Sequence, residues 1–162
     1  MLPFPPPPTD LLALSEGAMV EFVRERGWPT YRAAQILRWL YQGRVRSFAE
    51  MTNLAQKDRE HLAASCIIGR TRTVQTFASQ DGTTKFVLTL ADHTNIECVL
   101  IPDDERLTLC LSSQVGCTLD CGFCLTGTLG LTRNLRPHEI VDQGLLAQDH
   151  LPAEQRITNL AV

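Results

Sequence analysis

The sequence predicts an α+β fold that leads into an α/β fold: a small helical amino-terminal domain, an antiparallel β meander, and then one βαβ unit. Three observations predict it. Apolar residues recur at helical spacing from Leu11 to about Ile68, and after Gly69 they occupy alternate positions instead. From Leu107 onward a strand pattern, a helix pattern and a second strand pattern follow one another, which is typical of a parallel strand pair.

The first part of the chain contains four predicted helices. An apolar stripe at 19–23 predicts the first, and a single apolar face predicts the second over 31–41. Ser47, followed three residues later by Glu50, forms a capping box for a short third helix. A fourth helix is predicted from about 56 to 64. Short helices joined by tight turns indicate a small helical domain.

The middle of the chain predicts an antiparallel meander. Strands are expected at 73–77, 85–90 and 94–101, because apolar and polar residues alternate there. The Asp81-Gly82 pair between the first two strands is a hairpin signal.

The last part predicts one βαβ unit. A strand at 107–112 leads through a cysteine- and glycine-rich loop at 113–134 into a helix at 137–149, and a strand begins at 157–162. One such unit leaves strand edges and sheet faces uncovered, whereas parallel sheets are normally buried on both faces. We therefore expect a truncated version of something larger.

Composition limits the class of protein. The chain has 162 residues, of which 44% are hydrophobic and 20% charged, as in a globular protein. No apolar run approaches the roughly 20 residues of a membrane-spanning helix, and the proline-rich start is unlike a secretion signal. These features predict a cytoplasmic protein without a membrane partner. In that reducing compartment, the six cysteines indicate metal binding or catalysis rather than disulfides.

Charge is unevenly distributed along the chain. Residues 1–72 hold ten Lys or Arg against seven Asp or Glu, a balance of +3, and residues 73–162 hold five against eleven, a balance of −6. A mildly basic first half joined to an acidic second half is compatible with an RNA-binding module attached to a catalytic one. Ordinary solvated helix faces explain the same distribution equally well.

The most informative residues are Cys117, Cys121 and Cys124, in the pattern Cys-x₃-Cys-x₂-Cys on the glycine-bearing loop. Three thiolates at this spacing can bind three corners of a [4Fe–4S] cluster, which leaves one iron open to a small molecule. Structural zinc is the less favoured alternative, because paired Cys-x-x-Cys spacing is missing and the nearby His138 falls inside a predicted helix. Three buried structural cysteines would be a coincidence in such a loop.

The motif, with Phe123 before its last cysteine, resembles that of the radical S-adenosylmethionine superfamily. Its flanks resemble the RlmN-type RNA methyltransferases and their Cfr relatives, over roughly residues 11–162. The positions that carry this resemblance are Cys110-Leu-Ser-Ser-Gln-Val-Gly-Cys117, Thr126-Gly127, Gly130, Arg133-Asn-Leu135, Glu139-Ile140, Gln143, Gly27-Trp-Pro-Thr-Tyr-Arg-Ala-Ala-Gln35, Trp39-Leu-Tyr41, Phe48, Met51-Thr52, Asp81-Gly-Thr83, Lys85, Ile96-Glu97 and Ile101-Pro102.

The resemblance implies an enzyme that methylates carbon 2 of adenine in 23S ribosomal RNA and in some transfer RNAs. It implies a [4Fe–4S] cluster on Cys117, Cys121 and Cys124, whose open iron chelates S-adenosylmethionine. It implies an electron donor such as flavodoxin, and it does not imply an oligomer. The family's radical chemistry also uses a methyl-carrying cysteine near the carboxyl end.

Two more site residues follow from the resemblance. Glu97 matches the family's proton acceptor, and Cys110 matches the cysteine that forms a product-releasing disulfide. On the residues alone, Glu97 is a solvent-facing strand carboxylate and Cys110 a core residue. Lys85 is a candidate RNA-phosphate contact or a solvated hairpin lysine. Cys66 and Cys98 match no function and are interpreted as structural.

The resemblance also divides the chain. The expected parts are a proline-rich lead-in at 1–10, a helical accessory domain that binds RNA at 11–70, the meander at 71–104, and the start of a truncated radical S-adenosylmethionine core, a partial (β/α) barrel, at 105–162. No cysteine follows Cys124, and the family's Gly-Glu-Pro segment is absent.

We therefore expect these residues to be inactive on their own. The alternatives are a non-catalytic RNA-binding or cluster-carrying remnant, and a Cfr-like enzyme that methylates carbon 8 of adenine.

Overall fold

The computed structural model describes residues 7–117 and 130–162. The chain divides into two compact units, residues 1–70 and residues 71–162. None of the helices in the described part of the chain is both long enough and apolar enough to cross a membrane.

The first unit is helical. Its elements, in chain order, are strand β1 (Thr9–Asp10), a 3₁₀ turn (Leu11–Ala13), helix α1 (Glu16–Glu25), helix α2 (Tyr31–Tyr41), a second 3₁₀ turn (Phe48–Glu50), helix α3 (Gln56–Ser65) and strand β2 (Cys66–Ile67). The predicted bounds of α2 are confirmed. The predicted capping box is also confirmed, because the Ser47 side chain accepts the Ala49 N–H while Glu50 accepts the Ser47 N–H.

The apolar faces of these helices form the core of the unit. Buried side chains come from every helix and from both 3₁₀ turns, and those with no exposed surface include Leu11, Met19, Val23, Ile36, Leu40 and Leu62. The periodicity that predicted the helices is therefore the periodicity of burial.

The two ends of the first unit meet in a short parallel pair that the sequence did not predict. Thr9 lies opposite Cys66, and Asp10 lies opposite Ile67. The Asp10 carboxylate accepts the backbone N–H of Gly69 at 2.9 Å. A Cβ atom at Gly69 would lie 2.0 Å from that carboxylate, so only glycine allows this approach. Two-residue strands are too short for alternation to reveal them.

The second unit is built on one mixed sheet. Its strands lie in the order β3 (Arg72–Ala78), β4 (Thr84–Thr89), β5 (Asn95–Asp103), β6 (Arg106–Cys110) and β9 (Asn159–Ala161). The first four strands are antiparallel neighbours, which confirms the predicted meander. Strand β9 pairs in parallel with β6 after helix α4 (Pro137–His150), so the predicted βαβ connection is present.

One face of this sheet is buried. Its core contains Phe86, Leu88, Ile96, Cys98, Leu100 and Leu109, together with Leu146 and Ala147 from α4. Cys66 in the first unit and Cys98 here are both buried, in agreement with their structural interpretation.

The prediction of a loop over the whole of 113–134 is wrong at both ends. Strand β7 (Gln114–Gly116) pairs antiparallel with strand β8 (Leu131–Asn134). The two strands have three and four residues, and a bulge lies between Val115 and Gly116. Their short and irregular pairing explains why no period-two signal marks them.

The parallel pairing supplies a matched test of the core. Leu109 lies directly opposite Leu160, yet Leu109 is fully buried whereas Leu160 is 65% exposed. Leu109→Ala is expected to lower the free energy of unfolding by about 2–5 kcal/mol, because it leaves a cavity in the core. Leu160→Ala is expected to change it by less than about 1 kcal/mol. Urea unfolding followed by circular dichroism measures both values, and equal losses would contradict the assignment of the buried face.

Candidate active site

The candidate catalytic residues lie on the sheet face opposite the core. Cys110 pairs with Val99, and Glu97 is two residues before Val99 on the same strand. Side chains in this diagonal relation share a face, with Cα atoms about 7–8 Å apart. Glu97 is exposed and Cys110 is half-buried. Cys98, the residue between Glu97 and Val99 on β5, points to the other face and into the core. The structure therefore places Glu97 and Cys110 beside each other.

Glu97 carries an ion pair on this face. Its carboxylate lies 3.1 Å from the Nζ atom of Lys85, and both side chains are about half exposed. The ammonium group of Lys85 also lies 5.1 Å from the centroid of the Phe77 ring. Exposed ion pairs contribute little stability, at most about 1 kcal/mol. The carboxylate can thus exchange Lys85 for another hydrogen-bond donor at small cost.

The chain that follows β6 is fixed by Ser112. Its backbone N–H donates to the amide oxygen of Gln143 at 2.9 Å, and its carbonyl accepts from the amide nitrogen of Gln143 at 2.9 Å. Its hydroxyl donates to the Glu97 carbonyl at 2.6 Å. Gln143 is fully buried on α4. Because a buried amide must be hydrogen-bonded, this pairing specifies one path for the backbone after Cys110.

The β7–β8 hairpin holds the beginning and the end of the cysteine loop together. The backbone N–H of Cys117 donates to the Gly130 carbonyl at 3.2 Å. Gly116 has a φ of +81°, and a Cβ atom there would lie 1.8 Å from that carbonyl oxygen, so this contact requires glycine. Cys117 is half-buried at the base of the loop. Cys121 and Cys124 lie outside the described residues.

Arg133 fastens the hairpin to its surroundings. Its guanidinium group makes two parallel hydrogen bonds to the Glu139 carboxylate, at 2.8 and 2.9 Å, and donates to Asp92 at 2.8 Å. Glu139 also accepts the N–H of Arg136, which precedes the first turn of α4. A bidentate pair of this geometry is among the stronger interactions of charged side chains. It joins β8, the β4–β5 turn and the start of α4.

The charges of this network hold one another ionised. Burial alone would raise the pKa of Glu139, but hydrogen bonds from Arg133 and Arg136 outweigh it, and the pKa is lowered. Hydrogen bonds from Thr94 lower the pKa of Asp92 to about 2, and Arg133 adds to the effect. The hydrogen bond to Glu139 raises the pKa of Arg133 further above its usual range.

The two neighbouring thiols of the sheet differ in reactivity. Burial raises the pKa of Cys98 to about 12, and the nearby Cys110 adds to the shift. The thiolate is the reactive form of cysteine, so Cys98 is inert near neutral pH. Cys110 faces the open side of the sheet, where a second thiol could reach it.

The sequence did not reveal how the supporting residues act. Glu139 and Gln143 lie four residues apart and are both buried polar residues of α4. That spacing on the inner face of a predicted helix is a signal that could have identified them as anchors. No pattern marks Asp92, which reaches Arg133 from 41 residues away.

The described residues alone do not complete a metal centre. Within 7–117 and 130–162, no three His, Cys, Asp or Glu side chains are grouped so as to hold an ion. The chemistry of the full donor set nevertheless fits an iron–sulfur cluster, because three cysteine thiols within eight residues of the sequence are soft ligands suited to iron. Cys117 at the closed base of the loop is the member of the set that the structure describes.

Acid should weaken the Arg133 network. A carboxylate with a lowered pKa stabilises the fold above its unfolded pKa, and this stability is lost as the pH falls through the folded pKa. For Glu139 the loss begins near 4.5, and for Asp92 it extends from 3.8 down to about 2. Glu139→Gln is expected to cost about 1–3 kcal/mol of unfolding free energy at neutral pH.

The same variant should also flatten the decline in stability as the pH falls below 4.5, because the carboxylate that loses its charge there is gone. Glu105→Gln, at an exposed turn, is the matched control and should keep the wild-type decline. Urea unfolding at a series of pH values gives both curves. A Glu139→Gln curve parallel to that of the wild type would show that the network does not control acid stability.

Comparison with known proteins gives consistent matches. Residues 9–68 match the family model described as the ribosomal RNA large subunit methyltransferase N-terminal domain. The chain is 41% identical over 155 residues to the dual-specificity RNA methyltransferase RlmN of Desulfosudis oleivorans. The aligned region covers 96% of this chain and 42% of that protein. It is 47% identical over 135 residues to the protein of the same description from Pelobacter propionicus, covering 83% of this chain and 39% of that protein.

A solved structure matches as well. The crystal structure of a radical SAM methyltransferase from Sphaerobacter thermophilus superposes with a TM-score of 0.85 at 35% sequence identity, over 94% of this chain and 46% of that one. The chain spans less than half the length of these relatives. On these matches, the chain carries the amino-terminal domain of the RlmN family at residues 9–68, and nearly its whole length is similar to the amino-terminal portion of RlmN proteins.

Proposed function

We propose that this chain supplies the RNA-binding and cluster-binding part of a methyltransferase that acts on carbon 2 of adenine in ribosomal RNA and in some transfer RNAs. The observation that carries the proposal is the placement of Glu97 and Cys110 side by side on the open face of the sheet. The names of the relatives, which are RNA methyltransferases, support the choice of reaction. The reducing cytoplasm would keep the thiols available.

Cys117, Cys121 and Cys124 would hold a [4Fe–4S] cluster through their thiolates. When bound, the cluster supplies one electron and an open iron site for the amino and carboxylate groups of S-adenosylmethionine. The protein's part is to bring the ligands together. The hydrogen bond from Cys117 to Gly130 and the β7–β8 pairing fix the base of the loop on which the ligands are carried.

Glu97 would act as the general base that removes the proton from carbon 2 of the adenine once the methylene carbon has added there, which restores the aromatic ring. A general base must offer an acceptor atom that the substrate can reach through open space. Glu97 meets this requirement, since its carboxylate lies on the exposed face and is held there by the contact with Lys85. The hydroxyl of Ser112 holds the Glu97 backbone, so the carboxylate is presented from a fixed position.

Cys110 would supply the thiol that forms a disulfide with the methyl-carrying cysteine. The bond between that cysteine's sulfur and the methylene carbon would break, and the carbon would take the electron pair and a proton to become the methyl group of the released product. Its position on the open face gives access that Cys98 lacks. The high pKa of Cys98 keeps that neighbour protonated and prevents it from competing for the same partner.

The cluster ligands can be tested on the chain itself by anaerobic reconstitution with iron and sulfide. The unchanged chain is expected to bind about four irons. Cys117→Ser, Cys121→Ser and Cys124→Ser should each lose most of this iron, because each removes one thiolate. The matched control is Cys66→Ser, at a buried cysteine of the helical unit, which should keep the full amount.

The measurement is iron and acid-labile sulfide per chain, with the absorption spectrum. Retention of iron by the Cys121→Ser protein, or binding of zinc in place of iron, would overturn the proposed cofactor. Loss of iron from the Cys66→Ser protein as well would mean that the substitutions act through general unfolding.

A further inference from the structure

We propose that a cleft in the helical unit binds one unpaired nucleotide of an RNA, with the base against Trp28 and the phosphate between Lys57 and Arg26. The inference takes RNA as the ligand from the proposed function, but it concerns a separate site with its own residues. The cleft has a volume of about 730 Å³ and lies between the carboxyl end of α1 and the first turns of α3. Its lining residues are Glu25, Arg26, Trp28, Lys57, Asp58 and His61.

The end of α1 determines where two of these residues lie. Gly27 adopts a left-handed φ of +69°. Its N–H donates to the Arg24 carbonyl, and the Trp28 N–H donates to the Val23 carbonyl, both at 2.9 Å. These two bonds form a Schellman motif, which ends a helix at one defined residue. Arg26 and Trp28 therefore lie on either side of a rigid turn and both line the cleft.

Arg26 has an unused donor beside the cleft. Its guanidinium carbon lies 3.5 Å from the centroid of the Phe22 ring, and one terminal nitrogen donates to the Phe22 carbonyl at 3.1 Å. Its Nε atom is buried and has no hydrogen-bond acceptor among the described residues. Because this Nε atom is shielded from solvent, a phosphate in the cleft would meet the positive charge of the Arg26 guanidinium group and not this donor.

The other charges of the cleft leave a positive site. Lys57 is exposed on α3. The nearby Asp58 carboxylate lies 3.7 Å from Arg32, which compensates its charge. Glu25 is the remaining acidic side chain of the lining, against the two cations Arg26 and Lys57. A cation pair of this kind attracts a phosphate rather than a cationic ligand.

Trp28 supplies the aromatic surface. Its indole is half-buried and meets the His61 ring edge-on, with centroids 6.0 Å apart and planes at 65°. The contact with His61 helps to fix the indole at the wall of the cleft. Aromatic faces beside cations are the combination with which proteins hold single-stranded nucleic acid, because every base can stack. An acidic peptide would use the cations but not the ring, so the two features together favour a nucleotide.

The test is the binding of a fluorescein-labelled single-stranded RNA octamer to the full chain, without iron or S-adenosylmethionine, followed by fluorescence anisotropy. Trp28→Ala is expected to weaken binding about 5- to 150-fold, the contribution of one base–aromatic stack. Lys57→Gln should lower the slope of log affinity against log salt by about 0.7, since one phosphate contact is lost. Trp28→Phe, which keeps an aromatic face, should bind within about threefold of the unchanged chain.

Two controls make the outcome decisive. Arg24→Gln removes a positive charge from α1, at a side chain that pairs with Glu21 and does not line the cleft. This variant should leave the RNA affinity and the salt slope unchanged. In Trp39→Phe, Trp28 is the remaining tryptophan, and RNA should quench its emission. Trp28→Ala and Trp28→Phe are compared by circular dichroism, so that a loss of fold is recognised.

Three results would overturn the inference: equal weakening by Trp28→Ala and Arg24→Gln, RNA binding without quenching of Trp28, or displacement of RNA by polyglutamate as effectively as by unlabelled RNA. The last result would identify a general anion site. None of these depends on the cluster. A chain that takes up iron in the reconstitution experiment but does not bind RNA through Trp28 would overturn this inference and leave the proposed function standing. A chain that binds RNA through Trp28 but takes up no iron in the reconstitution experiment would support the cleft and overturn the proposed cofactor.

Discussion

The pairing of the buried Gln143 amide with both backbone groups of Ser112 is the interaction on which the candidate site depends. It occurs where β6 ends, so it determines how the chain leaves the sheet toward the cysteine loop. Because the amide is buried on α4, leaving it unpaired would cost about 1–3 kcal/mol. The same residue, Ser112, holds the backbone of Glu97. One contact thus sets the relative positions of the proposed base and of the start of the cysteine loop.

The two faces of the sheet differ in burial and in the contacts that they make. The face that contains Leu109 and Cys98 is buried and carries the hydrophobic stabilisation of the unit. The opposite face carries Glu97 and Cys110, with an exposed ion pair that stabilises the fold little. Stronger polar contacts, those of Arg133, lie at the β7–β8 pair and not on the face of Glu97 and Cys110. The proposed catalytic side chains can therefore rearrange without loosening the elements that position them.

Much of the fold could be predicted from the sequence, because its longer elements have strong local signals. The apolar face of α2, the Ser47 capping box and the Asp81-Gly82 turn each depend on neighbours within a few residues. The β7–β8 pair could not be predicted, since three or four residues are too few for a period. The partners of Arg133 could not be predicted either, because Asp92 is distant in the chain and its contact is a product of the folded sheet. The sequence singled out Glu97 and Cys110 only through resemblance to a family. That the two residues lie side by side follows from the pairing of Cys110 with Val99, which the sequence does not reveal.

The central claim is that the open face of this sheet performs adenine methylation with Glu97 as the base. The most direct measurement uses a chimera in which the 155 matched residues replace those of the Desulfosudis oleivorans relative, followed by mass spectrometry of nucleosides from the treated RNA. The account predicts 2-methyladenosine from the chimera and from its Glu105→Gln variant, and at least about 100-fold less from Glu97→Gln. A folded, cluster-containing chimera that forms 8-methyladenosine, forms no methyladenosine, or is unaffected by Glu97→Gln would contradict it.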